Sequence, residues 1–266
     1  MNSKLDKLKS ILGDMESVLV AYSGGVDSTL LLKVSKDVLK DKVIAVIAMS
    51  DTYPQEEFES AQKLAQAFGV ATLVIETNEL KDERFLSNSK ERCYYCKLEL
   101  FSKLKEIAHK KGLKHVIDGS NYDDRSDFRP GNKAKKELGI RSPLEEASLR
   151  KQEIRELSKE VGLPTWDKPS LACLASRIPY GTRITKNNLR MIGEAEKYIR
   201  NLGFKQVRVR HHGHIARIEV SKDSIARIMN DGLMDNISKA LEKIGYMYVT
   251  LDLKGYRTGS LNEVLK

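Results

Sequence analysis

Ser17-Val18-Leu19-Val20-Ala21-Tyr22 is a short apolar run with β-branched members, preceded by the helix-like segment Lys4 to Met15. A run of that length without polar alternation fits a strand buried on both faces of a parallel sheet. A glycine-bearing segment follows, and then a helical pattern from Thr29 to Leu39. Val43 to Ala48 predicts a second strand and Ala71 to Glu76 a third, with the amphipathic segment Glu56 to Phe68 between them. Helix-like Lys97 to Lys110 leads into a strand at His115 to Asp118. Strands alternating with helices predict an α/β fold with a doubly wound parallel sheet.

Leu144 to Val161 reads as one helix, stopped by Gly162 and Pro164, and the stretch to Tyr180 is loop-rich with Pro164, Pro169 and Pro179. The pattern then changes. Helical Lys186 to Leu202 precedes strands at Gln206 to His211 and His214 to Val220, a helix over Ser224 to Ile244, and a strand over Tyr246 to Leu253. This α-β-β-α-β order predicts a smaller C-terminal α+β domain, residues 181–266, after a larger domain spanning 1–180. A hairpin turning at His212-Gly213 puts Val207 and Val209 on one face with Ala216 and Ile218. Arg208, Arg210, Arg217 and Glu219 fall on the other, so one face is core and the other presents charge.

The 266 residues are 41% hydrophobic and 31% charged, enough for a sizeable core. No apolar run approaches the roughly 20 residues that span a bilayer. Met1 to Ser10 is lysine-rich and polar with no secretory apolar region behind it. A cytoplasmic location is therefore expected. The net charge of +9 implies an anionic partner, either nucleic acid or a small phosphorylated metabolite. The positive charges are scattered, without the basic block or basic-aromatic tract that tracks a nucleic-acid strand. The three cysteines, an odd number, argue against a disulfide framework.

Ser23-Gly24-Gly25-Val26-Asp27-Ser28 lies between the first strand and its helix. Two glycines allow close backbone approach to a polyanion, and the helix presents its positive end. Ser23 and Ser28 add hydroxyl donors. Asp27 would be repelled by bare phosphate, which suggests a bridging Mg²⁺. The segment lacks the Walker A lysine and the GxGxxG spacing. It resembles the SGGxDS fingerprint of the PP-loop ATP pyrophosphatases, whose HUP-like fold binds ATP and whose members transfer AMP to an acceptor oxygen. Ser50-Asp51-Thr52, after the second strand, would sit at the carboxyl edge of the sheet where nucleotides bind, with Ser50 near adenine.

Cys93-Tyr94-Tyr95-Cys96-Lys97 has CxxC spacing at a helix start, which puts both sulfurs on one side and lowers thiol pKa. No second pair or spaced histidine completes a zinc site. Cys173 lies in Pro169 to Arg177. It is either an inert core cysteine or a reactive one. With these segments the resemblance narrows to the ATP-dependent sulfur transferases of the LarE type, which help build the nickel-pincer nucleotide of lactate racemase. It extends over Glu91 to Lys97, Asp118-Gly119-Ser120-Asn121-Tyr122-Asp123-Asp124, Arg129-Pro130-Gly131, Val207 to Gly213 and Leu251 to Arg257.

The resemblance implies adenylylation of a carboxylate of a pyridinium biscarboxylate mononucleotide, pyrophosphate release, and displacement of AMP by sulfur. It implies one of two sulfur sources. Either the cysteine at Cys173 is sacrificed to dehydroalanine, or Cys93, Cys96 and Cys173 hold a [4Fe-4S] cluster with an extra sulfide. All three cysteines are present, and three thiolates leave one iron open, which favours the cluster. Expected roles follow. Ser23, Gly24, Gly25 and Ser28 cradle pyrophosphate, and Asp27 holds Mg²⁺. Asp118 and Gly119 reach nucleotide or metal, although Asp118 also fits a turn or cap role. Arg177 stabilises adenylate charge, while Arg208 and Arg210 take the substrate phosphate or form a solvated strand surface. The resemblance further implies a homo-oligomer built through the C-terminal domain, and a sulfide or sulfur-carrier donor. Rival readings are a tRNA-thiolating PP-loop enzyme, a regulator that binds ATP without turnover, and a structural zinc protein.

Overall fold

In the computed structural model, residues 2–126, 130–169, 172–229 and 232–265 are described. The chain divides into two units: Met1–Phe85 with Lys90–Leu171, and Leu86–Ser89 with Ala172–Lys266. The division thus falls at 171/172 rather than at the expected 180/181, and a four-residue segment from earlier in the chain joins the second unit.

The first unit runs α1 (Asn2–Met15), β1 (Val18–Ala21), α2 (Val26–Leu39), β2 (Val43–Met49), α3 (Gln55–Ala67), β3 (Ala71–Glu76), then a short α4 (Glu83–Leu86) whose last residue belongs to the second unit. It continues with α5 (Arg92–Lys110), β4 (His115–Asp118), α6 (Gly131–Glu137), α7 (Pro143–Glu146) and α8 (Lys151–Glu160). All four strands are parallel, in the order β3-β2-β1-β4. Period-2 alternation divides the apolar run of β1 between two cores. Val18 and Val20 join α1, α2 and α8 through Leu8, Leu30 and Leu157, whereas Leu19 joins Phe101 and Leu104 of α5. Helices cover both faces, as a doubly wound sheet requires. Because every strand runs the same way, the segments after β1, β2, β3 and β4 emerge at one edge. The chain steps from β1 out to β3 and returns to the far side of β1 with β4, so the crevice between β1 and β4 is the switch point.

The helix expected over Leu144 to Val161 is two helices. Leu144, Ala147 and Leu149 are all fully buried, and Ser148 turns left-handed at φ 57° between them. The Asp123 carboxylate accepts the Lys151 N–H at 2.9 Å and Glu153 accepts the Arg150 N–H at 2.9 Å, which starts α8 afresh. The helix at Cys93 starts earlier than expected, at Arg92.

The second unit contains α9 (Lys186–Asn201), β5 (Val207–His212), β6 (Ile215–Val220), α10 (Lys222–Met229), α11 (Leu233–Ile244) and β7 (Tyr248–Leu251). Thr185 and Asn188 cap α9 reciprocally, each side chain accepting the other's backbone N–H. The helix expected over Ser224 to Ile244 is also two, α11 beginning at Leu233 after the N-cap Gly232, at φ 66°. β5 and β6 form an antiparallel hairpin with Arg208 opposite Glu219 and Arg210 opposite Arg217, and β7 adds parallel to β6. The apolar face is as expected, with Val207, Val209, Ala216 and Ile218 buried together. The charged face corrects the expectation: Arg208, Arg210 and Glu219 are buried, not presented to solvent. Among the described residues, no helix is long and apolar enough to cross a membrane.

Leu19→Ala, which empties a fully buried site in the central strand, is expected to destabilise the first unit by about 2–5 kcal/mol in urea unfolding. Leu253→Ala, at an 83% exposed position, should stay within about 0.5 kcal/mol of the parent.

Candidate functional site

The turn after β1 is held by backbone contacts that only glycine permits. Gly24 sits at φ +63°, and a Cβ there would lie 2.6 Å from the Cβ of Ala61 in α3. Gly25 is the N-cap of α2 and has no side chain to cap the first turn, whose amides have no partner within the helix. From the other side, a Cβ on Gly119 would come within 2.9 Å of the Ser28 nitrogen. The ends of β1 and β4 therefore close on the start of α2. Ser23 and Ser28 meet at 3.1 Å between hydroxyls, and Ser28 also donates to Gly25 O at 3.2 Å. The result is a row of hydroxyls and helix-end amides, suited to an anion.

Charge surrounds this turn. Asp27, in the first turn of α2, pairs with Lys151 at 2.5 Å and accepts from Asn121 at 3.5 Å. Lys168 donates to Gly24 O at 3.0 Å and pairs with Glu57 at 2.6 Å. The Tyr53 hydroxyl donates to Ser23 O, and burial followed by the Glu57 charge pushes its pKa up. Asp118 is committed elsewhere. Its carboxylate accepts from Ser120 and Ser142 and pairs with Lys135 at 3.3 Å, tying the end of β4 to α6.

Beside Ser23 opens a cavity of about 180 Å³ whose walls include Ala21, Val46, Ala48, Leu100 and Leu104, with Ser50, Thr52, Glu79 and Cys96 also lining it. Ser50 and Thr52 both donate to one oxygen of the buried Glu79 carboxylate. Cys93 and Cys96 lie in the first turn of α5; Cys93 is exposed and Cys96 half-buried, and no disulfide involves either. Gly131 lets α6 pack on that turn, since a Cβ there would reach 2.9 Å from Lys97 Cγ. Arg129 of the same motif lies outside the described residues, as do Ser170 and Leu171 before Cys173.

In the second unit, Cys173 is exposed and precedes a short 3₁₀ turn, Leu174–Arg177. Its carbonyl accepts the Ser176 N–H at 2.9 Å, the Ser176 hydroxyl at 2.7 Å and Arg177 at 3.1 Å. Arg177 is 1% exposed. It also donates to Ala172 O at 2.8 Å and forms a two-point pair with Glu196. Burial pushes the Glu196 carboxyl up, but Arg177, Arg208 and Arg200 outweigh it and hold the group below its ordinary value. Arg210 grips both oxygens of Glu219 and donates to Ser176 O at 2.8 Å and Ser260 at 2.7 Å. Arg208 stacks over Tyr256, and burial followed by the neighbouring Arg177 pushes its pKa down to about 10. Among the described residues, no group of three or more His, Cys, Asp or Glu side chains is gathered as a metal site.

Residues 4–95 match the family described as NAD synthase. Over 264 residues, 99% of this chain and 95% of the relative, the sequence is 41% identical to the pyridinium-3,5-bisthiocarboxylic acid mononucleotide synthase of Lactiplantibacillus plantarum. The chain belongs to the LarE family of PP-loop enzymes. Uncharacterized relatives include a Synechocystis protein, 45% identical over 100% of this chain and 99% of its own length. Another, from Methanocaldococcus jannaschii, is 30% identical over 96% of this chain and 98% of its own.

For a LarE-family enzyme, the structure brings Ser23, Gly24, Gly25, Asp27, Ser28 and Gly119 together and sets Ser50 at the adjoining cavity. Sequence reasoning missed Lys151, Lys168, Tyr53 and Glu79. Lys151 was hidden inside an expected helix, Lys168 heads the Cys173 segment but no role was read for it, and Tyr53 and Glu79 carry no motif of their own.

Gly24→Ala is expected to lower ATP affinity by about tenfold or more in calorimetry, since a left-handed non-glycine residue costs about 1–2 kcal/mol before its clash is counted. Gly25→Ala, at φ −78°, should leave the melting temperature unchanged. Glu196→Gln is expected to destabilise the second unit by about 3–5 kcal/mol, because Arg177 loses a buried counter-charge. With its folded pKa depressed, Glu196 contributes fully above the unfolded value of about 4.3 and loses that contribution as pH falls through the lowered value. Urea midpoints taken from about pH 7 to pH 3 should therefore fall less steeply in the variant.

Proposed function

We propose that the chain is an ATP-dependent sulfur transferase that converts a carboxylate of pyridinium-3,5-biscarboxylate mononucleotide to a thiocarboxylate, in nickel-pincer nucleotide synthesis. The observation that carries this reading is the Gly24-Gly25 turn opening onto the N-terminus of α2, in a chain alike from end to end to a synthase of the bisthiocarboxylic acid. Pyrophosphate oxygens accept from the first amides of α2 and from Ser23 and Ser28, and adenine enters the cavity by Ser50. Lys151 and Lys168 offset phosphate charge. Mg²⁺ fits Asp27, a hard oxygen donor beside the anion cradle whose lysine partner can turn to a phosphate. When bound, the ion supplies charge neutralisation between phosphate oxygens.

A substrate carboxylate oxygen attacks the α-phosphorus, the bond to the bridging oxygen breaks, and pyrophosphate leaves with the electron pair. Sulfur then attacks the acyl carbon and AMP leaves as the phosphate anion. Arg177 serves this step by fixing the Ala172 and Cys173 carbonyls, its guanidinium being fully engaged with them and with Glu196. Arg208 takes the substrate phosphate. Its guanidinium fork matches a phosphate at two points. Arg210 supports it through Glu219.

The sulfur source we favour is a [4Fe-4S] cluster on Cys93, Cys96 and Cys173. The donor chemistry fits: no disulfide involves the three, and Cys93 and Cys96 stand three residues apart in one helical turn. When bound, such a cluster supplies sulfide at the iron that lacks a cysteine. A sulfide or sulfur-carrier donor replenishes it, and the enzyme works in the cytoplasm as a homo-oligomer through its second unit.

Anaerobically purified protein should carry iron and acid-labile sulfide, lost in Cys93→Ala, Cys96→Ala and Cys173→Ala, and should release pyrophosphate only with the pyridinium carboxylate. Iron-free protein that reacts once, leaving dehydroalanine at Cys173 with its sulfur in the product thiocarboxylate, would replace the cluster with sacrificial donation. Pyrophosphate release dependent on tRNA would replace the substrate.

A further inference from the structure

We propose that Glu79 is the residue that selects adenine over 6-oxopurines, by accepting a hydrogen bond from the exocyclic amine of the base. The proposal rests on the reading that ATP binds at the α2 cradle. Glu79 follows β3 in a 3₁₀ turn, Glu79–Lys81, and is 3% exposed. The hydroxyls of Ser50 and Thr52 both donate to Oε1. Oε2 is buried and has no hydrogen-bond partner among the described residues. A buried carboxylate oxygen without a donor is costly, and the cost is relieved when a ligand brings an N–H to it.

The cavity that Glu79 lines can receive a purine. Val46, Ala48, Leu100 and Leu104 provide apolar wall, and Glu79 is the one carboxylate among the residues that line it. Ser23 lines the same cavity and also belongs to the phosphate cradle, so one nucleotide can reach both. Ser50 and Thr52 are themselves occupied as donors to Oε1, so Oε2 is the carboxylate oxygen left to accept from a ligand. Adenine offers two N–H donors at its six-position. Guanine and hypoxanthine present a carbonyl oxygen there, which would meet the carboxylate oxygen with lone pairs facing lone pairs. A site built around a hydrogen bond rejects the analogue that cannot make it far better than an apolar slot does.

Equilibrium binding of Mg²⁺-ATP, Mg²⁺-ITP and Mg²⁺-purine riboside triphosphate to the full chain tests this directly. The wild type should bind ATP about 10–100-fold more tightly than ITP, the span of a charged hydrogen bond, with purine riboside triphosphate between them. In Glu79→Gln, whose amide can donate to a carbonyl as well as accept from an amine, the ATP to ITP ratio should fall to within about threefold. Wild-type protein that binds ATP and ITP equally would overturn the proposal, whatever the folding of the variant. So would a Glu79→Gln variant that binds ATP yet keeps the wild-type ratio, or one that changes only the ratio of ATP to 2′-deoxyATP, which would assign the carboxylate to the ribose. Folded wild type that binds no ATP would overturn the nucleotide reading itself, and this inference with it.

Discussion

Backbone has to touch backbone where α2 begins. The amides of that first turn can face an anion only if the chain ends β1, reverses, and enters the helix within four residues, while the end of β4 closes in from the opposite side. Around this turn, an added carbon on Gly24 would collide with Ala61 and one on Gly119 with the Ser28 nitrogen. The parallel sheet makes this convergence possible. Its strands β1, β2 and β4 are largely buried, so helices must shield both faces, and all the following turns are delivered to one edge. The hydroxyl- and amide-lined turn at Gly24-Gly25, the cavity beside it and the cysteine-bearing turn of α5 are consequences of that shared direction.

The second unit solves a different problem. It buries guanidinium groups, whose desolvation is costly unless carboxylates and carbonyls replace the lost water. Glu196 accepts from Arg177, Arg200 and the Val209 amide, and Glu219 serves Arg210 and Arg217. What this network holds is backbone: Ala172, Cys173 and Ser176 carbonyls all accept from Arg177 or Arg210. The exposed Cys173 thus stands on a segment clamped from below. The chain-wide excess of positive charge, 46 Lys and Arg against 37 Asp and Glu, says less about ligands than the local balance here. In this cluster burial sets the energetic scale.

The apolar run of β1 and the alternation of strands with helices announced a parallel sheet, because a strand hydrophobic without alternation needs cover on both faces. The SGGxDS segment announced its cradle because only glycines there leave amides open to an anion. The split of Leu144 to Val161 into α7 and α8 was not legible, since Ser148 turns left-handed to seat Leu149 in a core made by α1 and α2, which are distant in sequence. Alternation in β5 and β6 correctly divided core from charge. It could not reveal that the charged face is itself covered, because covering depends on Ser260 and the turn at Ser176.

Among the site residues, the amino-acid order by itself determined those whose backbone chemistry is local: Ser23 to Ser28, and the CxxC pair at the start of α5. Tertiary structure alone decided the partners. It set Lys151 on Asp27, Lys168 on Gly24, Arg177 on Glu196 and the Cys173 carbonyl, and buried one oxygen of Glu79 without a hydrogen-bond partner among the described residues. The physical reason is the same in each case. A helix end or a left-handed turn is specified by neighbours in sequence, whereas the state of a buried charge depends on which distant groups replace its water.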